Sequence, residues 1–425
     1  MKLHFITLGC KVNQSETQAL QTLLTEGGHC LCTPGEQADA VIINTCTVTA
    51  ESGRKSRQAI RRTREAHPGA IVAVCGCFSE LSPQEVETLG VDFIWGSGDR
   101  RGFVTALERL FHGEEPAQPT EERQEFEILP AGGLDGRTRA LLKVQDGCDN
   151  FCSYCIIPYA RGPVRSMPPE AAVKQAKALE DAGFREMVLT GIELSAYGKD
   201  LTAKEDLGDL AEQICKAVPD MRIRLGSLEP RIVTAAFVRR LRDFPNLCPH
   251  FHLSLQSGSD TVLSRMDRRY DTARYAQSLA LLREHFLGCA ITTDLIVGFP
   301  GESVGEYEES LAFLKTCAFS AVHVFPYSAR EGTKAANMPD QIPKSEKIRR
   351  ANGARQVAET LKSTWLSAQV GLTQPVLFER EADGISQGHS PNYCAVSAPG
   401  TGLQNQIRPV RIQAVSAEGL TGELA

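Results

Sequence analysis

Between residues 138 and 335 the chain repeats one pattern six times: a short apolar run, then a polar stretch long enough for a helix. The runs are "ALLKVQD", "EMVLTG", "RIRLGSL", "FHLSLQ", "CAITTDLIVGF" and "AVHVFPYS", separated by stretches such as "PEAAVKQAKALEDAG" and "VGEYEESLAFLKTCA". Short strands alternating with helices predict parallel pairing, because parallel neighbours need a crossover between them. Six βα units predict a barrel or partial barrel whose strand-end polar groups line one mouth.

The flanks differ from this central segment. Residues 1–112 carry four runs rich in Val and Ile, "LHFITLG", "AVIINTC", "AIVAVCG" and "VDFIWG", spaced by polar helical segments. They predict a separate α/β domain with a parallel sheet. Residues 113–137 are acidic, contain Pro and Gly, and read as a linker. The central domain is expected over 138–368, closing with a long helix over 342–368. From 369 to 425, short β runs broken by Gly, Pro and Asn predict a small antiparallel β-barrel of the kind often used to bind nucleic acid.

No apolar run approaches membrane-spanning length. The start, "MKLHFITLGCKVNQSE", lacks the apolar core and cleavage site of a signal peptide, so a cytoplasmic protein with no membrane partner is expected. A net charge of −6 argues against a surface coated by nucleic acid but leaves room for a local basic face. "RKSRQAIRRTR", residues 54–64, is such a stretch; read alone it is a solvated helix.

Fourteen cysteines in a long chain without secretory signals point to metal or catalytic thiols rather than disulfides. Cys215, Cys248, Cys289 and Cys317 sit alone in or beside apolar segments and read as small buried hydrophobes. The densest group is in "GCDNFCSYCIIPYARG", where Cys148, Cys152 and Cys155 follow the first strand of the central repeat. Three thiolates hold three corners of a [4Fe-4S] cube and leave one iron open, able to chelate an amino and a carboxylate group. Structural zinc would need a fourth ligand that the adjacent residues do not offer. In the first domain, Cys10, Cys46 and the pair Cys75 and Cys77 end three separate strand runs. Ligands gather beyond the carboxyl ends of parallel strands, so these cysteines are expected to converge on a second metal site. Strand alternation puts Cys75 and Cys77 on one side and does not choose between them. A strand ending at Gly76 would leave Cys75 inside it and Cys77 beyond it.

The Cys-x3-Cys-x2-Cys spacing, its place after strand one and the six βα units resemble the radical S-adenosylmethionine enzymes. Within them, nine blocks occur in order: "TLGCKVNQSE", "NTCTVTAESGRKSRQ", "CGCFSE", "DGCDNFCSYCIIPYARG", "LTGIELSAYG", "RIRLGSLEP", "HLSLQSGSD", "DLIVGFPGE" and "HVFPYSAREGT". Together they resemble the methylthiotransferase family over nearly the whole chain. The resemblance implies two [4Fe-4S] clusters and S-adenosyl-L-methionine, one molecule giving the 5′-deoxyadenosyl radical and another the methyl group, with sulfur carried or supplied by the auxiliary cluster. It implies Cys148, Cys152 and Cys155 as ligands of the radical cluster. For the auxiliary cluster it implies Cys10, Cys46 and Cys77, with Cys75 standing where the family usually has Thr. Ser227, Glu229, Gln256 and Ser257 become expected cofactor contacts, and Gly298 and Gly301 positions where backbone approaches the adenine. The tail corresponds to the RNA-binding TRAM domain. Two positions depart from the family: Met167, often Arg, and Glu193, usually near an Asn or His; both are expected on the substrate side.

The family's substrates are isopentenyladenosine or threonylcarbamoyladenosine in tRNA, or an aspartate of a ribosomal protein. "CTVTAESGRKSRQAIRR" resembles the threonylcarbamoyladenosine group, which implies methylthiolation at C2 of that nucleoside at position 37. The expected partners are tRNA, met in part by the basic run, and a one-electron reductant such as flavodoxin or ferredoxin. A non-catalytic RNA-binding iron–sulfur protein is the alternative of another class; the strand-end polar blocks speak against it.

Overall fold

The computed structural model describes residues 1–33, 35–116, 125–132 and 138–425. The first unit is a parallel sheet of β1 (Lys2–Thr7), β2 (Cys30–Leu31), β3 (Ala40–Thr45), β4 (Ile71–Gly76) and β5 (Phe93–Ile94), in the order β2-β1-β3-β4-β5. Helices α1 (Lys11–Glu26), α2 (Ala50–Ala66), α3 (Cys77–Leu81), α4 (Pro83–Glu87) and α5 (Arg100–Phe111) follow the strands. The strand order reverses between β1 and β3, which opens a crevice at their carboxyl ends. The sheet's apolar side chains fill two clusters: Leu20, Leu24, Phe103 and Leu107 lie in one, Ile60, Phe78 and Val86 in the other. The two-residue edge strand β2 has no counterpart in the sequence reading, since "CL" is too short and too exposed to leave an alternating pattern.

The linker reading covers residues 117–124 and 133–137, which lie outside the described residues. The described part does not hang free. Glu127 accepts the first two backbone N–H groups of α5, from Arg100 and Arg101, at 3.0 Å each. Leu129 is buried, and its carbonyl accepts from Gln175.

In the central unit the chain forms β6 (Arg139–Lys143), β7 (Gln145–Asp146), α6 (Ile157–Arg161), β8 (Arg165–Ser166), α7 (Pro169–Asp181), β9 (Glu186–Thr190), α8 (Leu207–Ala217), β10 (Arg222–Leu225) and β11 (Ser227–Leu228). It continues through α9 (Ala235–Leu241), β12 (His250–Leu253), α10 (Asp260–Arg265), α11 (Thr272–His285), β13 (Ala290–Val297), α12 (Val304–Cys317), β14 (Ala321–Pro326) and α13 (Lys344–Ser367). All six expected strands form, parallel and in order, and the third is broken at Gly226 into β10 and β11. β10 pairs with β9, and β11 pairs with β12, so one interrupted strand joins the halves of an open six-stranded barrel. Alternation sends Phe251, Leu253, Ile291 and Leu295 outward under the helices, into a core shared with Leu210, Ile214 and Leu282. His250, His252, Thr292 and Asp294 therefore face the concave side. Cys215, Cys248, Cys289 and Cys317 are all buried, as the sequence reading expects.

The tail is a closed barrel of β15 (Thr373–Ala382), β16 (Ile385–His389), β17 (Ala395–Pro399), β18 (Ile407–Ser416) and β19 (Gly419–Leu424), in the order β15-β16-β17-β19-β18. It is not wholly antiparallel: β17 and β19, which are not neighbours in sequence, close it as a parallel pair. The tail also plugs the lower end of the central barrel. Arg222 donates to the Pro375 carbonyl at 2.6 Å, Arg224 to that of Pro391 at 2.9 Å, and Arg139 pairs with Glu379 at 3.0 Å. No helix among the described residues is long and apolar enough to cross a membrane.

Candidate functional site

The loop after β7 is built around Gly147. Its φ is +73°, and a Cβ there would meet the Pro163 carbonyl oxygen at 1.8 Å, so no other residue fits. The Asp146 carboxylate accepts the Gly147 N–H at 2.8 Å, and the Cys148 N–H reaches Gly162 at 3.1 Å. This folds the loop back on itself and gathers Cys148, Cys152 and Cys155 near enough to feel one another's charge. Burial pushes Cys148 and Cys155 up to about 12. Thiolates in this place therefore need a metal's charge to form, and three free thiols gathered here, with no fourth cysteine among them, fit a cluster with one open iron.

Arg268 on the connection from α10 to α11 is the neighbour that the sequence does not reveal. Its Nη1 donates to Cys152 Sγ at 3.1 Å and its Nε to Tyr270 at 3.0 Å, while the buried Nη2 has no partner among the described residues. "MDRRY" offers two adjacent arginines and no periodicity to say which turns inward.

Two carboxylates face the same loop. Glu193 accepts from Asn150, between Cys148 and Cys152, at 3.4 Å, and its backbone N–H is held by Gln145 at 2.8 Å. Burial raises its carboxyl above the ordinary range against the pull of Arg268. Glu193 thus stands beside the cysteine loop. Burial also acts upward on Glu229, but the two-pronged bond from Arg231 and the nearby Arg268 hold it below its ordinary value.

The other expected cofactor residues separate. Ser227 is exposed at the start of β11. Gln256 has φ +68° and clips its backbone to β13 through Asp294 and Ile296. Ser257 is fully buried, its hydroxyl taken up by Ser310 of α12 and the Ser259 N–H. Gly298 makes room for a helix: a Cβ there would meet Lys347 Cγ at 2.6 Å. Gly301 donates its N–H to Asp340. Met167, expected on the substrate side, is instead buried in the central core, because β8 turns it under Tyr197.

Cys10, Cys46 and Cys77 stand at the carboxyl ends of β1, β3 and β4, flanking the point where strand order reverses. Cys10 precedes α1, Cys46 follows β3, and Cys77 opens α3. Gly9 brings the first two together; its Cβ would lie 2.8 Å from that of Cys46. Gly76, at φ +104°, turns the chain where a Cβ would strike Asn44 and Thr45 at 2.5 Å. Cys75 stays in β4 and packs with Leu20, Trp95 and Phe103. Burial raises all three triad thiols, and each is influenced by another member of the three.

The two cysteine groups are tied by Arg161, the last residue of α6, six positions after Cys155 and fully buried. Its Nε donates to Cys77 Sγ at 3.2 Å and its Nη2 to Asn13 at 2.6 Å, while both ends of the fork reach Glu16. Glu16 is also paired with Arg100 and Lys143, each at 2.8 Å. The carboxyl's burial penalty is overcome by this ring of cations, which holds it well below the ordinary range.

On α2 the buried stripe is Gly53, Ser56, Ile60 and Thr63, so the basic side chains point away from the sheet. Arg54, Arg57 and Arg64 pair with Glu51, Glu85 and Asp92. Lys55, Arg61 and Arg62 stay exposed and have no ion-pair partner among the described residues.

Comparison with known proteins places this geometry. Residues 142–314 match the radical SAM superfamily, and residues 2–96 match the uncharacterized protein family UPF0004. The chain is 38% identical to the threonylcarbamoyladenosine tRNA methylthiotransferase MtaB of Bacillus subtilis, over 93% of this chain and 90% of that one. It is 34% identical to MtaB of Thermotoga maritima, over 97% and 95%. Against the tRNA-2-methylthio-N(6)-dimethylallyladenosine synthase of Pelotomaculum thermopropionicum the identity is 31%, over 100% and 98%. Among solved structures, the radical S-adenosylmethionine methyltransferase TsrM of Kitasatospora setae shares the fold with a TM-score of 0.57 at 14% identity, covering 91% of this chain and 81% of that one.

Proposed function

Starting from the radical S-adenosylmethionine methylthiotransferase family, to which this chain belongs, we propose that it adds a methylthio group to C2 of N6-threonylcarbamoyladenosine at position 37 of tRNA. The observation that carries the substrate is the higher identity to the MtaB proteins, 34–38%, than to the dimethylallyladenosine synthase, 31%, at similar coverage.

Cys148, Cys152 and Cys155 would hold the radical cluster, and Cys10, Cys46 and Cys77 an auxiliary one. Bound there, the clusters and S-adenosyl-L-methionine supply the electron, the 5′-deoxyadenosyl radical, the sulfur and the methyl group. The chain's own side chains bind and orient. Arg268 donates to a ligand sulfur, which holds that ligand in place and stabilises its negative charge. The Glu229 carboxylate, kept ionised by Arg231, would offer an acceptor to the cofactor's ammonium, and Glu193 lies near it beside the loop. Electrons would come from a small one-electron carrier of the flavodoxin or ferredoxin kind. Lys55, Arg61 and Arg62 of α2 would meet tRNA phosphates.

The test is mass analysis of tRNA nucleosides from cells lacking the protein. Threonylcarbamoyladenosine should accumulate and its methylthio form vanish, with both reversed by the intact gene. Loss of methylthio-dimethylallyladenosine instead would move the chain to that second group of relatives.

A further inference from the structure

At Lys11, the residue after Cys10, lies a cavity of about 350 Å³, within the range of small-ligand sites. Three parts of the chain wall it: Lys11 from the start of α1, Arg139 and Arg224 from the concave face of the barrel, and Glu379, Arg380 and Tyr393 from the tail. Two of the cations are already engaged. Arg139 is held by Glu379 at 3.0 Å, and Arg224 by Glu186 at 2.8 Å. Both guanidinium groups also lie over the Tyr393 ring, at 5.1 and 4.6 Å. Among the described residues Lys11 forms no ion pair and no side-chain hydrogen bond. Of the charged side chains walling the cavity, four are cations and one is an anion, so an anionic group entering it meets an uncompensated ammonium.

We propose that this cavity is a carboxylate site in which Lys11 pairs with the amino-acid carboxylate on N6 of the substrate, and that this contact separates threonylcarbamoyladenosine from nucleosides with an apolar N6 group. The inference rests on the substrate reading above. The chemistry agrees with the position. A carbamoyl N–H on N6 folds back to hydrogen-bond N1 of the adenine, which brings the amino-acid group to the edge that carries C2. A residue one peptide bond from Cys10 is then where that carboxylate falls when C2 faces the first cysteine triad. An isopentenyl group offers no charge there and would leave the ammonium without a partner.

The experiment measures binding of wild-type and Lys11→Gln protein, at one fixed salt concentration, to a single tRNA in two forms, carrying threonylcarbamoyladenosine or plain adenosine at position 37. The expected result is a ~10–100-fold weaker Kd for the modified tRNA alone, the range of a charge-assisted bond in a partly open site. Lys11→Arg should recover part of the loss. Wild-type protein offered the same tRNA with the threonine carboxyl methyl-esterified should show the loss without any substitution. Equal weakening on both tRNAs would mean a phosphate contact and overturns the inference, as does no change on either. The substrate reading fails separately: wild-type protein that methylthiolates only dimethylallyladenosine tRNA refutes both. Wild-type protein that acts on threonylcarbamoyladenosine, with a Lys11→Gln variant that keeps the full preference, refutes this inference alone.

Discussion

Arg161 does with one side chain what the sequence assigns to two separate domains: it bonds a cysteine of the first and is anchored six residues from a cysteine of the second. Lysine in its place keeps a charge but not the planar fork that reaches Cys77, Asn13 and Glu16 together. Arg161→Lys should cost about 2–4 kcal/mol in denaturant unfolding, since buried Glu16 and Asn13 lose the bonds that only the fork makes together. With iron loaded, it should also lower the midpoint potential of the auxiliary cluster proposed above, because N–H donation to a ligand sulfur favours the reduced state. A redox titration followed by electron paramagnetic resonance reads this directly, and an unchanged potential would show that Arg161 leaves the sulfur once iron is bound. The cysteines were legible in the sequence because their spacing and strand-end positions are periodic signals, and the turn at Gly76 was legible because glycine marks it. Arg161 and Arg268 were not. A single arginine in a loop motif carries no pattern, and its direction is decided by tertiary partners up to 148 residues away.

Helices and strands are where the sequence reads best, and their ends are where it reads worst. The six central strands and α13 follow from composition and period, but the breaks and reversals follow from contacts. β10 and β11 separate because Gly226 packs against Leu189 and Leu194, and the parallel closure of β17 on β19 is invisible to any local pattern. α12 shows how an element is fixed to its neighbour. Glu306 completes the capping box with Ser303 and receives Arg265 and Thr261 of α10. The hydrogen bonds from Arg265 hold its carboxyl at about 2, against an ordinary value of 4.5. A depressed carboxyl stabilises the fold fully above its unfolded value and loses that contribution as pH falls toward the folded one. Wild type should therefore exceed Glu306→Gln by ~1–2 kcal/mol near pH 6, after allowance for solvent screening. The gap should close between about pH 4.5 and 2. Urea melts of both proteins across that range check it, and a gap independent of pH would refute the ionic account.

At the level of the whole molecule, the tail barrel reads in sequence as an appended RNA-binding module, and in the structure it is also a plug. Arg222 and Arg224 are buried and spend donors on its carbonyls, and Tyr393 lies beneath two guanidinium groups and against His250. Ending the chain at residue 368 leaves those donors without partners, at ~1–3 kcal/mol each. The shortened protein should melt roughly 6–12 °C lower in calorimetry, whereas a free-standing module would leave the transition of the remainder in place. The barrel above the plug has its own weak line. Its third strand pairs with β12 at Ser227–Leu228, and Ile223 bonds the segment before β12 at Asn246 and Cys248. Few backbone bonds cross that line, so it is where the sheet opens at least cost. In amide exchange, protection along β13 should outlast protection along the interrupted strand by orders of magnitude. A wall that parted along this line would divide into two leaves, with the cysteine loop on one leaf and the Arg268 that steadies it on the other.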